Sequence, residues 1–232
     1  MSRAAVVLAV GIVLGGCNPA LVRDGPGLAQ SGTSACAQLD SSTEVQLGLV
    51  RQMLDQDRHY AGLAHLAALD PAVQASAQAR YLKAELQRHT GSDQEAERNY
   101  RELLGSCLAG YGHHGLGLLS AQRDLAQATT ELHEAARLLP TDPRVRNDLG
   151  YALLLMQDGS GARREFMTAI ELGDYKQRAS LNLMLLMLYE GDERGADRLR
   201  VRLKLPDSDM EQLRRRAAQM RVEQQSQSKE EG

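Results

Sequence analysis

Aromatic side chains are nearly missing from this chain of 232 residues, which carries no Trp, a single Phe and seven Tyr. Val and Ile are also sparse beyond the first 14 residues. Sheets draw on those residue types, so a β-rich fold is excluded, while the abundance of Ala, Leu, Arg, Gln and Glu favours helix. Charge of one sign is lacking too. The formal net charge is -3, and no basic stripe interleaved with aromatics appears, which sets nucleic acid aside as a partner. Three Cys are too few for a disulfide-built scaffold, and no Cys-x-x-Cys, His-Glu-x-x-His or Gly-x-Ser-x-Gly occurs.

What is there begins with a leader. MSRAAVVLAVGIVLGGC has one basic residue, Arg3, then an apolar run from Ala4 to Leu14 that is too short to span a bilayer. Residues 1–16 therefore read as a signal peptide. Leu14-Gly15-Gly16-Cys17 resembles the bacterial lipobox, which implies cleavage before Cys17 and acylation of that residue. Several acyl chains give a stable anchor where one would not. The residue after Cys17 is Asn18 rather than Asp, which implies the outer membrane. Residues 17–41 hold Pro19, Gly25-Pro26-Gly27 and Ser31-Gly32-Thr33-Ser34 without sustained periodicity. They read as a flexible tether whose ends lie on the order of 25 Å apart.

The most informative stretch is Pro143 to Asp174. Two short amphipathic helices are separated there by the breaker Asp158-Gly159-Ser160-Gly161. Leu149-Gly150-x2-Leu153 and Ala162-x3-Phe166, with Ala169 one turn on, match the tetratricopeptide pattern, whose unit is about 34 residues. Gly150 and Ala162 are small where two helices would cross closely, and Leu149, Leu153 and Phe166 fill the space around the contact. Such a hairpin cannot bury its own apolar stripe and predicts copies of itself. Small residues recur at Ala196, Ala128 and Ala96, and a worn first copy shows Leu47-Gly48 and Ala61. Five units are expected near 42–71, 75–108, 109–140, 143–174 and 177–205, an all-α tetratricopeptide superhelix over 42–205. After Pro206, Ser208-Asp209-Met210-Glu211 reads as a capping box. It opens a capping helix over 206–222 with Met210, Leu213, Ala217 and Met220 on one side. Residues 223–232 read as a disordered tail.

Catalytic chemistry is thin. Gly110-x-Gly112-x-x-Gly115 matches a dinucleotide fingerprint by letters, but no strand precedes it and no βαβ unit surrounds it, so helix packing is the expected role. His113 and His114 point about 100° apart on a helix, and His59 and His65 are off one face, so packing or surface roles are expected. Glu95 and Glu97 read as a solvated helix face, and Met156, Met184 and Met187 as core filler. No catalytic residue, metal site, cofactor or small-molecule substrate is expected. With Cys17 acylated, Cys36 and Cys107 remain as an even pair; they form a disulfide or stay as two thiols, and spacing does not decide.

LGYALLL, preceded by PTDPRVRN and followed by a Gly-x-x-x-Glu-Phe helix, resembles the TadD family, as does RASLNLMLLMLYEGDERGADRL. These are the tetratricopeptide lipoproteins of the tight-adherence (Flp) pilus assembly machinery. The resemblance implies a pilotin-like scaffold that binds the outer-membrane secretin, or another pilus assembly component, and helps it assemble. The same features without that resemblance describe a generic periplasmic adaptor for envelope enzymes or outer-membrane protein assembly. The tetratricopeptide resemblance also implies an inner binding surface at set repeat positions. In the fourth and fifth units these fall on Arg144, Asn147, Tyr151, Leu154 and Leu155, and on Arg178, Leu181, Leu185, Leu188 and Tyr189. Asn147 and Tyr151 stand where the family's carboxylate clamp places Lys and Asn, so the expected occupant is an amphipathic helix or apolar segment instead. Some of these leucines are expected to serve as ordinary core, and Tyr151 and Tyr189 are the most diagnostic groove positions.

Overall fold

The computed structural model describes Cys36, residues 38–173 and residues 176–230. The leader, Cys17 with its expected lipid, and most of the tether lie outside the described residues. Within them the chain is helical, and no described helix is long and apolar enough to cross a membrane. The helices are α1 (Ser41–Asp55), α2 (His59–Ala67), α3 (Pro71–Gln74), α4 (Ala77–His89), α5 (Asp93–Leu103) and α6 (Ala109–Ser120). They continue as α7 (Leu125–Leu138), α8 (Pro143–Leu155), α9 (Gly159–Leu172), α10 (Lys176–Tyr189), α11 (Glu193–Leu203) and α12 (Asp207–Glu230). Five hairpins result, α1/α2, α4/α5, α6/α7, α8/α9 and α10/α11, each packed on the next, with α12 closing the series against α10.

The turn inside a hairpin sits earlier than the breaker residues suggest. Gln157 adopts a left-handed backbone (φ 64°), and Asp158 then caps α9 by accepting from the Gly161 N–H at 2.8 Å. Gly159, Ser160 and Gly161 are thus the first turn of a helix rather than a break. Gly191 (φ 84°) and Asp192 repeat the device, with the Gly195 N–H donating at 2.8 Å. Asp57 (φ 56°) and Gly91 (φ 75°) supply the left-handed residue in the first and second hairpins.

Counting from these turns corrects the first repeat. Gly150 lies seven residues before Gln157, and the same step back from Asp57 reaches Val50, which is fully buried. Gly48 instead faces open space. The small residue of the second helix is likewise Gly62, packed against Leu86, rather than Ala61. The Leu-Gly letters at 47–48 are out of register because the turn, not the letter pair, sets which face meets the neighbour.

Close helix crossings explain the small residues. A Cβ on Gly150 would lie 2.8 Å from two ring carbons of Phe166, which is fully buried along with Ala162 and Ala169. Helix α6 carries the idea further. A Cβ on Gly115 would meet the Tyr100 ring at 2.2 Å, and one on Gly117 would meet Leu132 at 2.7 Å. The Gly-x-Gly-x-x-Gly stretch is therefore a helix flank pressed between α5 and α7.

The C-terminus departs from expectation twice. Helix α12 starts at Asp207, so Ser208 lies inside its first turn and its hydroxyl contacts Asp209 at 3.3 Å rather than capping. The Pro206 carbonyl accepts from the Asp209 N–H at 3.2 Å in its place. Met210, Ala217 and Met220 are buried as a stripe. The helix then runs on through residues 223–230, where a disordered tail was expected. That stretch has no Gly or Pro to stop it, and Gln224 holds it by bonding Tyr189 and Gln157.

Candidate protein-binding groove

The first helices of the hairpins, α1, α4, α6, α8 and α10, share one face. On it α6, α8 and the start of α10 enclose a groove of about 530 Å³. Its walls mix apolar and polar groups: Leu118, Leu155 and Tyr151 beside Gln122, Asn147, Asp148, Arg178 and Asn182. Tyr151 is half-buried, which leaves its ring a surface to offer.

A polar ladder forms the floor and crosses three helices. His114 Nε2 lies 2.8 Å from Asp148 Oδ2, and Asn147 Nδ2 donates to Asp148 Oδ1 at 3.0 Å. Asn182 Nδ2 in turn donates to Asn147 Oδ1 at 2.8 Å. Asn147 is only 2% exposed, so its amide is worth burying only because both ends are bonded. The sequence did carry a signal for this ladder. His114, Asp148 and Asn182 are spaced 34 apart, one repeat each, and polar residues recurring at one repeat position mark a shared face. Taken singly, His114 suggests only a packing or surface role, whereas its partner Asp148 lies one repeat away.

A smaller cup of about 310 Å³ continues the face toward the N-terminus. Arg51, Tyr81, Tyr111 and Arg144 line it, with the two tyrosine rings 5.1 Å apart and tilted by 45°. Burial and the nearby Glu85 push the Tyr81 hydroxyl well above the usual phenol range, so it stays a neutral donor. Arg144 is held in a double hydrogen bond by Asp142, which raises its guanidinium further above its ordinary value. Behind the cup, Tyr100 donates to Glu85 at 2.5 Å and Arg88 donates to the same carboxylate at 2.8 Å. Burial alone would raise the Glu85 pKa, but the Arg88 charge and the two hydrogen bonds outweigh it and hold the carboxyl below its usual range.

The groove expected on the fourth and fifth repeats needs correcting. Asn147 and Tyr151 do line it, whereas Leu181 is half-buried and is not part of its lining. Leu154, Leu185 and Leu188 do not, being 1%, 4% and 2% exposed inside the core that joins α8, α10 and α12. Tyr189 is engaged from within the chain, its hydroxyl donating to Gln224 Oε1 of α12 at 2.5 Å. Arg221 adds bonds to the Leu188 and Tyr189 carbonyls at 2.7 and 3.2 Å. The last hairpin needs its own apolar stripe covered, and α12 covers it. The open groove therefore lies one repeat nearer the N-terminus.

Cys36 and Cys107 are joined by a disulfide with their Cα atoms 5.0 Å apart, tying the chain just before α1 to the loop between α5 and α6. The other sequence candidates have structural places. His113 pairs with Glu131 at 2.7 Å, and the His59 and His89 rings stack at 4.5 Å. Among the described residues no three His, Cys, Asp or Glu side chains gather as a metal site. Met184 is fully buried, whereas Met156 is 46% exposed and is not core filler.

Comparison with known proteins fits this geometry. The chain is 41% identical over 206 residues to the TPR repeat-containing protein PA4299 of Pseudomonas aeruginosa, an alignment covering 88% of this chain and 80% of that protein. It is a tetratricopeptide-repeat protein. Solved tetratricopeptide-like structures share the fold at low identity. Pseudomonas aeruginosa PilF superposes with a TM-score of 0.58 at 20% identity, over 69% of this chain and 74% of its own. TTC0263 of Thermus thermophilus, a thermophilic tetratricopeptide protein, gives 0.59 at 21% identity, over 78% and 99%. No family model matches the chain. Tetratricopeptide proteins are protein-interaction scaffolds, and the groove of this one lies on the face formed by the first helices of its hairpins.

Proposed function

We propose that this tetratricopeptide protein is an outer-membrane lipoprotein, anchored through Cys17, that acts as an assembly scaffold for a tight-adherence pilus and holds a segment of the secretin in the groove of α6, α8 and α10. The observation that carries the proposal is the open groove itself. Helix α12 closes the inner face at α10, while Gln122, Tyr151, Leu155 and Asn182 line the groove that stays open. Aromatic and apolar walls supply contact energy, and the bonded ladder holds the three helices that carry them in register. Leu14-Gly15-Gly16-Cys17 supports the anchor, and the Cys36–Cys107 disulfide suits an oxidising compartment such as the periplasm.

Tyr151→Glu tests the groove. The position is half-buried, so a folded variant is expected, checked by helicity and melting. Its binding to the purified secretin should fall about tenfold or more, as expected for loss of an aromatic anchor. Undiminished binding by the folded variant refutes the groove assignment. Labelled palmitate tests the anchor separately: Cys17→Ala should take up none and should leave the membrane fraction.

A further inference from the structure

The second helices of the hairpins build a different face. Between α9 and α11, along α10 from Lys176 to Met187, runs an open cleft of about 480 Å³. Met167 and Ile170 of α9, Leu183 of α10 and Leu199 of α11 form its apolar lining. Met167 is 49% exposed, although its neighbour Phe166 is fully buried. The rim is basic. Lys176, Arg198 and Arg202 stand along it, and none of the three side chains has an ion pair or hydrogen bond among the described residues. Glu171 is the carboxylate of the lining, and Arg163 at the far end is already paired with Glu190.

Many arginines elsewhere are matched, among them Arg80 with Glu102, Arg101 with Glu97, Arg146 with Glu165 and Arg200 with Asp197. What sets the cleft apart is that its unmatched cations stand in a row beside apolar lining. In a chain of net charge -3, a line of unmatched cations beside an exposed apolar cleft is a complementary surface for something acidic. Arg194, Arg198 and Arg202 are all exposed and four residues apart, so they share one line of α11.

We infer that this cleft docks an amphipathic helix of a protein partner whose apolar stripe is flanked by Asp or Glu. The spacing chooses the partner's chemistry. Cations one turn apart are spread about 6 Å from each other, which matches carboxylates placed once per turn of an opposing helix. A lipid headgroup concentrates its charge at one point, and a flat membrane does not reach an apolar lining set between two helices. Residues 1–35 do not supply the occupant, since they contain one acidic residue, Asp24. The inference is independent of the secretin reading, because it concerns the opposite helices.

The test uses the full chain and three fluorescein-labelled peptides read by anisotropy. One is a designed helix with a Leu stripe flanked by Glu; the second places Lys for Glu; the third scrambles the first. The Glu helix should bind, weaken as salt rises, and lose about tenfold or more in affinity against Arg198→Glu/Arg202→Glu. Both positions are exposed, so that variant should melt as the parent does; Met167→Lys, also exposed, gives a second route to the same loss. Tyr151→Glu should leave the peptide's affinity unchanged. Equal binding of the Glu and scrambled helices, or indifference to both cleft variants, overturns the inference. So does binding of phosphatidylglycerol vesicles, but not of the Glu helix, that the charge reversal abolishes. Self-association that the reversal abolishes, with no Glu-helix binding, overturns it as well.

Discussion

Adding one methyl group at three glycines should give three different answers. Gly48 lies on the exposed side of α1 with nothing within 4 Å of a built Cβ. Gly48→Ala therefore gains helix propensity alone, about 0.5–1 kcal/mol of stability. Gly150→Ala gains the same propensity but places its methyl 2.8 Å from Phe166 Cδ1 and Cε1 and 3.3 Å from the Ala162 carbonyl. Phe166 is fully buried and cannot swing aside, so α8 and α9 must separate. Overpacking of this kind costs about 1–3 kcal/mol, which leaves a net loss of up to about 2.5 kcal/mol and no net gain. Gly115→Ala is worse, because the Tyr100 ring lies at 2.2 Å and Tyr100 is tied to Glu85 and Arg88. Its net loss should exceed that of Gly150→Ala. Urea unfolding followed by circular dichroism at 222 nm ranks the three, with the slope checked because repeat arrays can unfold in parts. If Gly150→Ala and Gly115→Ala matched or exceeded the stability of Gly48→Ala, close crossing would not be the reason for glycine there.

The Cys36–Cys107 disulfide closes a loop of 71 residues in separation, so Cys107→Ser should destabilise the fold by about 4 kcal/mol on the chain-entropy account, read as a lower urea midpoint. Alkylation before reduction should find no free thiol at either position in periplasm-derived protein. Acid should weaken the fold in two steps. Partial desolvation, with the Arg88 guanidinium 3.0 Å away and the His59 ring stacked on it, holds His89 below its ordinary value, so the folded state resists protonation. That contribution is complete above the ordinary imidazole range and is lost as pH falls through it toward the lower folded value. Glu85 is held below the usual carboxylate range by Arg88 and Tyr100 despite burial, so its contribution is complete above that range and lost as pH falls further. Thermal melts across pH should show both limbs; His89→Gln should flatten the first and Glu85→Gln the second.

Periodicity was enough to make the helices and to say that there are five pairs of them, because a 34-residue recurrence of small and apolar residues survives in any linear reading. Leu149, Gly150, Leu153, Ala162, Phe166 and Ala169 could be assigned to one crossing from their letters, since contacts within a hairpin depend on residues close in sequence. Register in the first repeat could not. Whether Gly48 or Val50 meets the neighbour depends on where the chain turns, and a left-handed Asp57 leaves no mark as clear as Gly91 or Gly191. The groove's position was also beyond the linear pattern. Leu154, Leu185 and Leu188 have the same apolar character whether they face a partner or the core. Only the return of α12 across α10, bonded through Gln224 and Arg221, decides which of them meet solvent. The floor of the groove, His114 to Asp148 to Asn147 to Asn182, joins residues a repeat apart through side-chain hydrogen bonds, and such bonds exist only once three helices stand side by side.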